Sequence, residues 1–241
     1  MPNQFSREEL LIGKEAVEKL KNSKVAVFGI GGVGSFVVEG LARAGVGHIV
    51  IVDYDKVDES NINRQIEALY STIGKYKIDV MKERILDINP KAIVEAYRPD
   101  QIEGGETTLL YRSFTYVVDA IDTITNKIKI IEKANNENIS IISMAGAANK
   151  LDPTMFEVED IYKTSMCPIC KILRKQLKEK GIKKLKVVYS KEKPIKLNLE
   201  EKAKEKTLGS ISFVPSVAGL IIAGEVIKDL ICPIGDAHQN V

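Results

Sequence analysis

A short apolar run, KVAVFGI at residues 24–30, leads directly into glycines at 29, 31, 32 and 34. An apolar stretch of this length reads as a strand buried on both faces, and glycines at its end let the chain turn sharply. Val33, Phe36, Val37, Leu41 and Ala44 then recur at helical spacing up to Gly45, and HIVIV at 48–52 reads as a second buried strand ending at Asp53. Gly29, Gly31 and Gly34 fit G-x-G-x-x-G, in which the first glycine turns the chain, the second lets backbone approach phosphate and the third allows close helix packing. The helix that follows offers free N–H groups and a positive dipole end to an anion, and Asp53 stands where a carboxylate can accept from ribose hydroxyls. The unit predicts a nucleotide site, although the same glycines would also serve merely to close a tight turn.

The alternation continues with a helix at 77–88, a strand at 92–97, a short helix near 107–113, a strand at 115–119, a helix near 125–137 and a strand at 139–143. This pattern predicts an α/β fold with a Rossmann-like, mainly parallel sheet and helices on both faces, whose ligands bind beyond the carboxyl ends of the strands. After Asn149 the pattern changes. A basic helix begins near Cys167, the strand KVVYS follows, a charged stretch runs to Lys206, and an apolar helix is expected at 216–230. Residues 1–150 are therefore expected to form the nucleotide-binding part, and 151–241 a basic C-terminal extension packed on the same sheet.

Charges run through the first twenty residues, so no secretory signal is read there and a cytoplasmic protein is expected. Pro215, Glu225, Lys228 and Asp229 interrupt the window from Ile211 to Ile231, leaving too short an uncharged run to cross a membrane. That window is core or a subunit interface. Three cysteines are too few and too odd in number for a disulfide framework, in keeping with a reducing compartment. From Lys171 to Lys206, fourteen Lys or Arg face five Glu, so the rest of a chain of net charge +2 is acidic.

The choice between ATP and a nicotinamide dinucleotide rests on SNINRQ and IGKYKID. Asn61, Arg64, Gln65 and Lys77 bring two cations and two amides near the end of the second strand, a set that suits a triphosphate because charge-assisted contacts neutralise its oxygens. Hydride transfer needs none of these. Asp119 and Asp122, in VVDAIDTITNK, end another strand, where carboxylates could hold Mg²⁺ on a pyrophosphate or simply cap the next helix.

GIGGVGSF, VDYDKVDESNINRQ, the lysine of GKYK and the DAID segment resemble the adenylating domain shared by ubiquitin-activating enzymes and their bacterial relatives in molybdopterin and thiamine synthesis. Within that superfamily, MAGAANKLDPT, YKTSMCPICKILRKQLKEKGIKKLKVVYSKEKP and GSISFVPSVAGLIIAGEVIKDL resemble the tRNA threonylcarbamoyladenosine dehydratases, which cyclise a modified adenosine next to the anticodon. The resemblance implies an ATP-dependent enzyme that forms a carboxyl-adenylate. Gly29, Gly31, Gly32, Gly34, Asp53, Asp55, Asn61 and Asp119 would bind the nucleotide. Arg64, Gln65 and Lys77 would handle its phosphates, Asp122 would hold Mg²⁺, and Arg7 would reach into the partner's site of a homodimer. A monovalent cation and a sulfur-transfer protein are further candidate partners. Thr123 and Lys127 stand where sulfur-carrier activators usually have Asn and Arg, which counts against that activity.

Cys167 and Cys170 open a predicted helix, where they are ordinary helix-start residues, two ligands of a metal completed elsewhere, or a redox pair. Lys171, Arg174, Lys175, Lys178, Lys183 and Lys184 form a basic footprint suited to an RNA backbone, and tRNA is the partner it predicts. Two other readings stay open at this point: activation of a ubiquitin-like sulfur carrier, and a nicotinamide-dependent oxidoreductase or non-catalytic nucleotide-binding module.

Overall fold

Strands β1 (Lys24–Phe28) and β2 (His48–Val52) are apolar almost throughout because the sheet is covered on both sides. Val25, Val27, Ile49 and Ile51 face one core, while Ala26, Phe28, Val50 and Val52 face another, as the two-residue period of a strand requires. The computed structural model describes residues 3–101, 108–109, 114–196 and 208–232. Its other strands are β3 (Ile93–Tyr97), β4 (Tyr116–Asp119), β5 (Ser140–Met144), β6 (Phe156–Asp160) and β7 (Lys186–Ser190), in the order β3-β2-β1-β4-β5-β7-β6. All neighbours pair in parallel except β6 with β7. The order reverses between β1 and β4, and this places a crevice at their carboxyl ends.

Seven helices accompany the sheet among the described residues: α1 (Ser6–Ile12), α2 (Lys14–Lys21), α3 (Gly34–Arg43), α4 (Lys77–Ile88), α5 (Ile124–Asn136), α6 (Pro168–Glu179) and α7 (Phe213–Ile231). Residues of α3, α4 and α7 (Val37, Leu41, Met81, Ile85, Ile222, Val226) fill one core, and Ile128, Ile131, Leu173 and Leu177 of α5 and α6 fill another on β7. The small residues of α7 bring it close to α3: a Cβ on Gly219 would lie 2.4 Å from the carbonyl of Val33. No helix among the described residues is long and apolar enough to cross a membrane.

Several expected bounds shift. The first strand ends at Phe28, because Gly29 already turns the chain. The last helix begins at Phe213, since Pro215 in its first turn has no intrahelical acceptor to lose. The short helix expected at 107–113 lies largely outside the described residues. Strand β6 was not expected, because FEVED acquires its ladder only from β7 across an antiparallel edge.

Candidate active site

At the junction of β1 and α3 the backbone of Gly29 adopts a φ of +87°, and a Cβ there would lie 2.8 Å from the Ala120 carbonyl. A Cβ on Gly34 would lie 1.8 Å from the carbonyl of Gly29, so the turn closes only on glycine at both positions. Gly29, Gly31 and Gly32 line a cavity of about 460 Å³ with Asp53, Asp55, Asn61, Arg64, Gln65, Lys77 and Asp122. Gly34 sits behind this wall as the first residue of α3, where the helix's free amides begin.

Asp53 holds the turn in place. Its Oδ2 accepts from the N–H of Ile30 at 2.6 Å and its Oδ1 from the N–H of Asp55 at 2.7 Å. Burial raises its carboxyl above the ordinary value against these two bonds and the nearby Lys77 ammonium. Lys77, the first residue of α4, is 4% exposed and donates to Asp55 Oδ2 at 2.9 Å. The guanidinium of Arg64 donates to the Ser60 carbonyl and to Asn63 Oδ1, while its stem lies near Gly32. Asn61 accepts from the Asp58 N–H and thereby fixes the short helical turn that presents Arg64.

Gln65 Oε1 is buried without a hydrogen-bond partner, an orphan that costs free energy until a donor reaches it. A ribose hydroxyl would be such a donor. The orphan, the cradle that a Cβ would fill and the two cations together fit a nucleoside triphosphate. The Tyr54 phenol is raised above its usual range first by Asp55, then by burial, Asp122 and Asp53, so three carboxylates gather at one mouth. One of them, the exposed Asp122, would suit Mg²⁺ only together with phosphate oxygens of a bound nucleotide, since Asp53 and Asp55 are engaged by backbone amides and Lys77.

Asp119 requires a correction. It is fully buried, with Oδ2 accepting from Lys127 Nζ at 2.8 Å and from Ser143 Oγ at 2.5 Å, while Lys127 also donates to the Met144 carbonyl. The side chain is an internal anchor beneath the loop that carries Asp122, and it does not line the cavity. Asp122 is exposed there. Arg7 is exposed on α1 and does not line this chain's cavity. Arg174 also departs from expectation: its guanidinium turns inward and donates to the carbonyl of Thr164 at 2.9 Å, while Lys171, Lys175, Lys178, Lys183 and Lys184 are exposed. Cys167 and Cys170 are buried, and no group of three or more His, Cys, Asp or Glu among the described residues could hold a metal.

Sequence reasoning missed parts of the wall. Tyr54, Asn126, Ala147, Ala148, Ser210 and Pro215 also line the cavity, the last four brought in by segments distant from the glycines. Glu67 was missed as well. It is 1% exposed, neither carboxylate oxygen has a hydrogen-bond partner, and burial pushes its carboxyl up to about 7.

The sequence pattern of the ThiF family matches residues 5–240. A Bacillus subtilis tRNA threonylcarbamoyladenosine dehydratase is 48% identical over 96% of this chain and 96% of its own length. Among solved structures, the Escherichia coli tRNA N6-threonylcarbamoyladenosine dehydratase in complex with AMP superposes with a TM-score of 0.84 at 31% identity, covering 95% of this chain and 94% of that one. The same protein in complex with ATP gives 0.82 at 31% identity, covering 98% and 96%.

Proposed function

The chain belongs to the ThiF family, and on that premise we propose that it dehydrates the threonylcarbamoyl-adenosine next to the tRNA anticodon in an ATP-dependent reaction. An oxygen of the threonyl carboxylate attacks the α-phosphorus of ATP and pyrophosphate leaves. A nucleophile of the same modified base then attacks the acyl carbon and expels AMP, which carries away the lost oxygen. Gly29, Gly31 and Gly32 with the start of α3 cradle the phosphates, Asp53 receives ribose hydroxyls, and Arg64 and Lys77, with the side-chain N–H of Gln65 that lies toward Gly31, stabilise the charge that moves onto pyrophosphate. Asp122 would hold Mg²⁺, which supplies further neutralisation there.

The observation that carries the reading is the convergence of Arg64 and Lys77 on the glycine turn within one cavity. The test is mass spectrometry of nucleosides after incubation of threonylcarbamoylated tRNA with the protein and ATP. Loss of one water from the modified nucleoside is expected. Pyrophosphate release that depends on a carrier protein's C-terminus, or NAD binding without ATP binding, would overturn it.

Two features extend the proposal. Lys171, Lys175 and Lys178 recur as a row over about 10 Å of one exposed face of α6, whose first turn packs on Gly146, the residue before the Ala147–Ala148 part of the cavity wall. A tRNA backbone on that row, with Lys183 and Lys184 beyond it, would bring the modified base to the cavity of a cytoplasmic enzyme. On α1, Leu10 and Leu11 are 89% and 85% exposed close to Arg7. Burial of these leucines against a second copy would make a homodimer and carry Arg7 toward the partner's site.

A further inference from the structure

Among the described residues, the Arg64 guanidinium makes its hydrogen bonds through one terminal nitrogen. Nη1 donates to the Ser60 carbonyl at 2.8 Å and to Asn63 Oδ1 at 2.9 Å, which occupies both hydrogens of that nitrogen. No acceptor among the described residues meets Nε or Nη2, so the edge of the guanidinium that can grip a phosphate through two parallel bonds stays open. Asn63 is held in turn. Its Nδ2 donates at 3.1 Å to the carbonyl of Ser210, which lies in the cavity wall but 147 positions further along the chain. A side-chain amide suits this place because it accepts from a cation with one atom and donates to a carbonyl with the other.

Ser210 is itself fixed. The neighbouring Gly209 donates its N–H to Asn149 Oδ1 at 2.6 Å, and its carbonyl accepts from the Asn149 N–H at 2.8 Å, so one residue grips another at two points. The backbone of Asn149 takes a φ of +57° to do so, in the left-handed region that asparagine enters more readily than most residues. Asn149 directly follows Ala147 and Ala148, which also line the cavity. A run of hydrogen bonds, with one peptide link between Gly209 and Ser210, thus joins the loop after β5 to Arg64.

We propose that Asn63 is a positioning residue for the adenylation step: it holds the Nη1 side of Arg64 so that the Nε–Nη2 edge faces the phosphates, and the Ser210 carbonyl holds Asn63. The inference rests on the adenylation reading above and gives the segment before α7 a part in it. Asn63 is exposed, and bonds at an exposed side chain contribute little to stability, so what the arrangement supplies is orientation. Orientation has a large effect on rate, since a misplacement of about 1 Å can cost about a hundredfold.

The test is a double-substitution cycle on the full chain, read by calorimetry of ATP binding without tRNA and by kcat for dehydration of threonylcarbamoylated tRNA. Asn63→Ala should weaken ATP binding about fivefold and lower kcat about tenfold, with thermal unfolding unchanged. In an Arg64→Lys background, which keeps a charge but has no two-pronged edge, the same substitution should change either quantity by less than about twofold. Asn63→Asp retains an acceptor for Arg64 and should recover most of the loss. Equal losses in the two backgrounds would overturn the proposal, because Asn63 would then act without Arg64. So would full ATP binding and full rate in Asn63→Ala. An unsubstituted chain that binds no ATP would overturn the adenylation reading and this inference together.

Discussion

At the carboxyl end of the sheet Asp122 is exposed and Gln65 Oε1 is buried without a partner. At the amino end Lys186 bridges Asp229 and Glu225 at 2.9 and 2.8 Å, and the Tyr116 hydroxyl donates to Asp229 at 2.6 Å. These four residues line a second cavity of about 730 Å³, larger than the 460 Å³ of the nucleotide site. Size therefore does not identify the site. The charges of the larger cavity close on one another, and the smaller one leaves polar groups whose partners must come from a ligand.

Substitutions at the two ends should separate activity from stability. Lys77→Met should lower kcat/KM for ATP-dependent dehydration by about 10²- to 10³-fold, the usual effect of deleting one preorganised charge. Steady-state kinetics on modified tRNA, with thermal unfolding as the control, measures this. A loss under tenfold would break the contrast.

Glu67 gives the next effect. Its carboxyl rises from 4.5 to about 7 on folding, so between those pH values the unfolded chain ionises while the folded protein retains the proton. Stability should then fall with rising pH across this window, by on the order of 3 kcal/mol, and level off above it. Glu67→Gln should abolish that fall in urea titrations at pH 5 and pH 8. An unchanged pH dependence would show Glu67 to be charged and partnered.

At the amino end, Lys186→Met should cost about 2 kcal/mol in the same titrations, because Asp229 and Glu225 lose their shared cation. Its dehydration rate should match the unsubstituted chain, and a slower rate would extend the working site across the sheet. The smallest change belongs to the lysine row. Replacing Lys171, Lys175 and Lys178 by Ala should flatten the plot of log affinity for tRNA against log salt by roughly 0.7 per lysine. Filter binding at several salt concentrations reads this slope, and an unaltered slope would remove α6 from the RNA path.

What could be read in advance follows from how local each signal is. KVAVF and HIVIV declare buried strands by composition alone, and the glycines declare a turn that structure explains by the 1.8 and 2.8 Å to backbone oxygens that a Cβ at Gly34 or Gly29 would meet. Asp119 and Asp122 look alike in VVDAID, yet one ends a buried strand and meets Lys127 reaching back from α5, while the other opens onto solvent. No spacing rule separates them. Lys127 stood out only as a departure from a pattern, and its role emerges from a contact eight residues away. Glu67, between Ile66 and Ala68, carries no local mark of burial. Ser210 and Pro215 reach the cavity only because α7 packs against α3.

That last closure bears on synthesis. The floor of the nucleotide site is laid down by residues 29–34, but Pro215 of its wall emerges from the ribosome about 180 residues later. A nascent chain that has made the glycines, and even Asp53 and Ala120 beside them, therefore has no enclosed pocket around that turn. Competence to use ATP arrives late in translation, when nearly all of this sequence has been made.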